Sequence, residues 1–171
     1  MPERPLVVAF DMVETLFPLD PLGERLARAG QSPDLLPIWF GQLLRDAFAL
    51  TVSGGYRPFA EVAIAALRTL TPLSQATAQE VVGGFAELDP HPDLGEAMKL
   101  LQAASIRIIT LTNGSVDTTS TLLERAGVRG LVEHVVSVEA VRRWSDLFDP
   151  PDVTGPDLVS VARSLAALTP S

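Results

Sequence analysis

Asp11 directly follows an apolar run, Leu6-Val7-Val8-Ala9-Phe10, and Thr15 comes four positions after it. That spacing sets a carboxylate and a hydroxyl together at the end of an extended segment. Far along the chain a second apolar run, Ile106 to Leu111, leads into Thr112-Asn113-Gly114-Ser115. If the two runs are neighbouring parallel strands, their carboxyl ends open onto one crevice. A carboxylate there, ringed by backbone amides and by hydroxyl and amide side chains, stays ionised and is able to attack an electrophilic carbon or phosphorus. Asn113 and Ser115 would then hold an anionic group of the substrate, with Thr112 and Met12 as further contacts. A plainer reading stands beside this one: Asp11 caps a turn, and Thr112-Asn113-Gly114 is a turn followed by a helix start.

Bringing those groups together requires a sheet with helical crossovers. Leu6 to Phe10 is uninterruptedly apolar, the pattern of a strand covered on both faces in a parallel sheet. Asp20-Pro21 starts a helix whose Leu22, Leu26 and Ala29 share a face until Gly30. Ser32-Pro33 starts another, with Leu35, Leu36, Trp39, Leu43, Ala47 and Phe48 as its apolar stripe up to Gly54-Gly55. Helices are further expected over Phe59 to Leu70, Ser74 to Leu88, Asp93 to Ala104 and Asp117 to Ala126. Strands are expected at Ile106 to Leu111 and Val135 to Val138. The order strand, helical insert, helix, strand, helix, strand predicts an open α/β sheet. Ser145 to Thr154 reads as a loop, and Leu158, Val161, Ala162, Leu165 and Leu168 as one face of a last helix.

Composition narrows the chemistry. The chain has 171 residues, which favours one domain, or one domain with a modest insertion. Thirteen Lys plus Arg against 21 Asp plus Glu give a formal charge of −8, contrary to the cationic footprint of non-specific nucleic-acid binding. The absence of cysteine removes disulfides, thiolate catalysis and Cys-based zinc sites. Uninterrupted apolar stretches are short, so no transmembrane helix is expected, and the N-terminal residues lack the features of a signal peptide. Those features together predict a cytoplasmic protein with no membrane and no nucleic acid among its partners. His91 and His134 read as structural. No serine-hydrolase elbow, phosphate-binding loop or dinucleotide fingerprint is present.

Phe10-Asp11-Met12-Val13-Glu14-Thr15-Leu16-Phe17 resembles the first motif of the haloacid dehalogenase superfamily, and Leu111-Thr112-Asn113-Gly114-Ser115 resembles the second. Asp89-Pro90-His91-Pro92-Asp93 and Ser137-Val138-Glu139-Ala140-Val141-Arg142-Arg143-Trp144 are similar to the type II 2-haloacid dehalogenase branch. The resemblance covers residues 5 to 144. It implies a three-layer, Rossmann-like parallel sheet, with core residues 1–17 and 89–171 and a helical cap at 18–88. It also implies that Asp11 is a nucleophile forming an ester, that Thr15 orients it, and that Asn113 and Ser115 bind the carboxylate of a small 2-haloacid, without metal or other cofactor.

Phosphatases of the superfamily carry a second acid two positions after the nucleophile and use magnesium, and here that position is Val13. Magnesium-dependent phosphatase chemistry is therefore the alternative reading. The family's cap arginine follows a tryptophan, and Phe40 follows Trp39 here; Arg45, one turn on, is expected to be solvated. Ser145 stands where the third-motif lysine is expected, and Lys99 is the only lysine in the chain. Arg142 and Arg143 are then the nearest positive charges to that position. A fourth motif has no counterpart, so the sheet core is expected to be incomplete at the C-terminal side, as in a truncated or frame-altered version. The open strand edge would be covered by the tail or by a partner chain, as in a homodimer. A third reading follows: an impaired member that binds a small anion or a partner protein. Glu14, at a position often glycine in the family, is weighed as a base for ester hydrolysis and as a solvated side chain.

Overall fold

The computed structural model describes residues 7–138, which lie within one compact unit. Arg142, Arg143, Ser145, the expected tail loop and the expected final helix fall outside the described residues. Three parallel strands form one sheet in the order β1 (Val7–Asp11), β2 (Arg107–Thr112), β3 (His134–Ser137). Asp11 is in register with Leu111, and Thr112 with Ser137, so all three carboxyl ends lie on one side. Between β1 and β2 run α1 (Asp20–Arg28), α2 (Leu35–Val52), α3 (Phe59–Leu70), α4 (Gln75–Gly83), a 3₁₀ turn (Gly84–Glu87) and α5 (Leu94–Ala103). Helix α6 (Val116–Arg125) crosses from β2 to β3.

Local chemistry sets the helix ends. The Ser74 and Ser115 side chains accept the backbone N–H of Thr77 and Thr118, each satisfying an amide that a helix start leaves open. Gly30 and Gly127, after α1 and α6, adopt φ of +75° and +69°, which suits glycine. In α3 the buried Val62, Ala63, Ala66 and Leu67 recur at the spacing of one helix face. That face meets Trp39 of α2, whose ring is fully buried and whose indole N–H donates to the Ala63 carbonyl at 2.9 Å. Phe85 packs against both Trp39 and Phe59, with ring centroids 5.9 and 5.6 Å apart.

Two expectations need correction. Strand β1 is not covered on both faces: Val7 is 37% exposed, and on the same face of β2 Leu111 is 45% exposed. Among the described residues, helices α5 and α6 cover only the face carrying Ile108, Thr110 and Thr112. An apolar run reports hydrophobicity, and it does not report how many layers pack on it. Helix α2 is long and apolar enough to span a bilayer by length and composition, with mean hydropathy 1.2 over 18 residues, as the core helix of a soluble protein also can be. Its sequence holds no long apolar run, but Arg45 and Asp46 are its only charges, so the average stays high. In this fold α2 buries Trp39 and Leu43, while Phe48, expected on the inner stripe, is 63% exposed.

Thr110 is fully buried, and its hydroxyl has no hydrogen-bond partner among the described residues. An unsatisfied buried hydroxyl costs about 1–3 kcal/mol. Thr110→Val should therefore stabilise the protein by about 1 kcal/mol, raising Tm by about 2–4 °C; an unchanged or lower Tm in thermal unfolding would show that the hydroxyl is satisfied.

Candidate active site

At the end of β1 the chain turns sharply. Leu16 and Phe17 both donate their N–H to the Met12 carbonyl, at 2.9 and 3.0 Å, and buried Met12 and Phe17 anchor the turn. Glu14 sits in this turn with φ +66°, a left-handed conformation that favours glycine. Its carboxylate accepts the N–H of Leu19 at 2.8 Å, tying the turn to the start of α1. One carboxylate oxygen of Glu14 is thus engaged by a backbone amide. Glu14→Gln keeps an acceptor and should leave stability within about 0.5 kcal/mol of the parent, whereas Glu14→Ala loses the bond and should cost about 1 kcal/mol. Equal denaturation midpoints for the two variants would contradict this.

Thr15 donates its hydroxyl hydrogen bond to Asp11 Oδ2 at 3.5 Å, the long end of the range. On β2, Thr112 Oγ1 accepts the N–H of Gly114 at 3.0 Å, and Ser137 of β3 donates to the Gly114 carbonyl. Ser115 is committed twice to α6: it accepts the N–H of Thr118 at 3.0 Å and donates to Thr118 Oγ1 at 2.9 Å. The Ser115 hydroxyl thus caps the start of α6.

A cavity of about 290 Å³ lies between these turns and the helical insert. Met12, Thr112 and Ser115 line it, together with Val13 and, from the insert, Phe59, Ile64, Val82 and Phe85. Asp11, Thr15 and Asn113 are exposed and stand outside that lining. Sheet register puts Asn113 two residues beyond the partner of Asp11, and no hydrogen bond joins the two side chains. The six expected residues thus divide into a lining set and an exposed set at the same strand ends.

The chain is similar to curated proteins and to solved structures. Over 144 residues the chain is 26% identical to a haloacetate dehalogenase of Moraxella sp. (strain B), covering 80% of this chain and 64% of that protein. It is also 26% identical to an (S)-2-haloacid dehalogenase of Xanthobacter autotrophicus, covering 96% of this chain and 64% of that one. A solved L-2-haloacid dehalogenase superposes with a TM-score of 0.74 at 25% identity, covering 83% of this chain and 67% of the other. The fold is that of the haloacid dehalogenases. No family model matches the chain. The chain spans about 64% of the length of the curated relatives it matches.

Within this haloacid dehalogenase fold, Val13 occupies the position two after Asp11 and faces the cavity. A valine cannot protonate a leaving oxygen or bind a cation, and no group of three or more His, Asp or Glu among the described residues could hold a metal ion. Nor does a charged side chain line the cavity among the described residues. Arg45 lies 3.3 Å from Asp46 with its side chain 69% exposed, and half-buried Phe40 also stays off the lining. The shifted groups lie at the opposite end of the sheet, where hydrogen bonds from Arg107 hold the Glu133 carboxyl below the usual carboxylate range. Sequence reasoning missed Phe59, Ile64, Val82 and Phe85 as cavity walls. Their helical periodicity is the same whether a face meets core or cavity, so no pattern in the sequence separates the two.

Proposed function

We propose that this protein hydrolyses the carbon–halogen bond of a small 2-haloacid through an ester on Asp11. One Asp11 carboxylate oxygen attacks C2, forming a C–O bond while the C–halogen pair leaves as halide. Water then adds to the ester carbonyl carbon, the C–O bond to the Asp11 carbonyl breaks, and the 2-hydroxy acid departs as the carboxylate is restored, with one proton released to solvent. Thr15 orients the nucleophile, and Asn113 with the start of α6 receives the substrate carboxylate. Helices α1 to α4 act as the cap that excludes water. No metal takes part in this scheme, and none is needed, because halide leaves unprotonated.

The observation that carries this reading is Asp11 at the carboxyl end of parallel strand β1 with Val13, not an acid, two residues later. It is supported by the likeness to 2-haloacid dehalogenases, one of which has been solved with chloropropionic acid covalently bound. Release of chloride from 2-chloropropionate tests it; magnesium-dependent hydrolysis of phenyl phosphate without chloride release would favour the phosphatase alternative. The lack of a charged side chain in the cavity lining favours a second reading, an impaired member that binds a small anion or partner protein. That reading is supported if substrate binds but no halide appears. We place the protein in the cytoplasm, acting on a small anion, with a second copy as the partner that covers the open edge of β1.

A further inference from the structure

Two buried hydroxyls hold one residue of the turn between β2 and α6. Thr112, the last residue of β2, accepts the Gly114 N–H at 3.0 Å, and Ser137, the last residue of β3, donates to the Gly114 carbonyl. Thr112 and Ser137 are opposite one another in the sheet register, and the Val138 N–H donates to the Thr112 carbonyl at 3.0 Å. Both side chains are buried, that of Ser137 completely. Gly114 does not adopt a left-handed φ, and a Cβ there would meet Thr112 Oγ1 at an ordinary 3.5 Å. Its conformation is therefore one that other residues can take, and the two hydroxyls restrict an otherwise permissive backbone.

What the Ser137 bond controls is the next amide. The Gly114–Ser115 peptide is trans, so its carbonyl and its N–H point in opposite directions. With the carbonyl turned to Ser137, the Ser115 N–H is turned away from Ser137, and it has no hydrogen-bond partner among the described residues. The Ser115 hydroxyl is committed to capping α6, so the backbone amide is the open donor of this residue. Gly114 and Ser115 both line the cavity.

We propose that Ser137 is a positioning residue for anion capture: by holding the Gly114 carbonyl it aims the Ser115 N–H at the carboxylate of the bound acid. Ser137 acts through Gly114 and does not itself touch the ligand. The role rests on the dehalogenase reading, in which the start of α6 receives the substrate carboxylate, but carboxylate binding is measurable without turnover. Removing the hydroxyl releases the Gly114 carbonyl, lets the peptide rotate, and loses the aim of a charge-assisted hydrogen bond.

Calorimetric titration with propionate reads the binding in wild type, Ser137→Ala, Ser137→Thr and Thr110→Val. Ser137→Ala should weaken Kd about tenfold, the effect of losing one hydrogen bond to a charged group, and Ser137→Thr, which keeps the hydroxyl, should restore most of the affinity. Thr110→Val removes another buried strand hydroxyl and should leave Kd unchanged, which separates aim from general core packing. Amide NMR of the wild type needs no variant: propionate should shift the Ser115 amide. With 2-chloropropionate, Ser137→Ala should raise KM and leave kcat near the parent value, whereas a merely structural role would lower the active fraction at unchanged KM. Equal propionate affinity in wild type and folded Ser137→Ala, a Ser115 amide that does not respond, or no propionate binding by wild type would overturn the proposal. Weakened propionate binding in Ser137→Ala with no halide release by wild type keeps the role of Ser137 and removes the dehalogenase reading. Halide release with a KM that Ser137→Ala leaves unchanged does the reverse.

Discussion

Asp11→Asn abolishes halide release, with a fall of about 10⁴-fold or more in kcat/KM, as expected when the group that forms the covalent bond is removed. The amide has almost the shape of the carboxylate, but its nitrogen and oxygen are poor nucleophiles and cannot displace halide at C2. Folding should be unaffected, because Asp11 is exposed and its side chain accepts a long hydrogen bond from Thr15, at 3.5 Å. Far-UV circular dichroism and thermal unfolding that match the parent would show that the loss is chemical. Thr15→Val removes only an orienting hydroxyl and should cost far less. Full activity in Asp11→Asn would mean that water attacks carbon directly and that Asp11 is a turn residue.

Trp39→Ala should be the most destabilising single change among the described residues, by about 3–5 kcal/mol, the range for emptying an aromatic site in a core. At about 2–4 °C per kcal/mol for a chain of this size, Tm falls by about 6–20 °C. The indole is fully buried, donates to the Ala63 carbonyl and backs Phe85, so its removal opens a cavity, orphans a carbonyl and loosens the wall. Trp39→Phe restores most of the packing without the hydrogen bond and should cost about 1–2 kcal/mol. A loss below about 1 kcal/mol for Trp39→Ala in denaturant titration would contradict the assignment of α2 and α3 as one packed pair.

Helix α3 was legible to the residue, since Phe59 begins and Leu70 ends a face of regular spacing, and Gly30 and Gly127 marked stops where the backbone needs positive φ. The helix expected from Asp117 begins at Val116, where the Ser115 side chain caps it. The parallel order of the strands followed from their alternation with helices. What was not legible depends on contacts far apart in sequence. Leu6 to Phe10 read as doubly covered because hydrophobicity does not count layers, and Phe48 read as inward because helical phase alone does not fix which side meets the core. Met12, Thr112 and Ser115 were found from the motif, but the opposite wall was hidden in an ordinary core pattern. Glu14 was ambiguous for another reason: only the folded turn brings Leu19 N–H to its carboxylate.

Turnover of 2-chloropropionate in heavy-oxygen water, followed by mass spectrometry of the peptide containing Asp11, tests the covalent step most directly. An ester opened at its carbonyl carbon leaves solvent oxygen in the Asp11 carboxylate, so the peptide gains label over repeated turnovers. Label found in the hydroxy acid alone, with the Asp11 peptide unlabelled, would contradict the account.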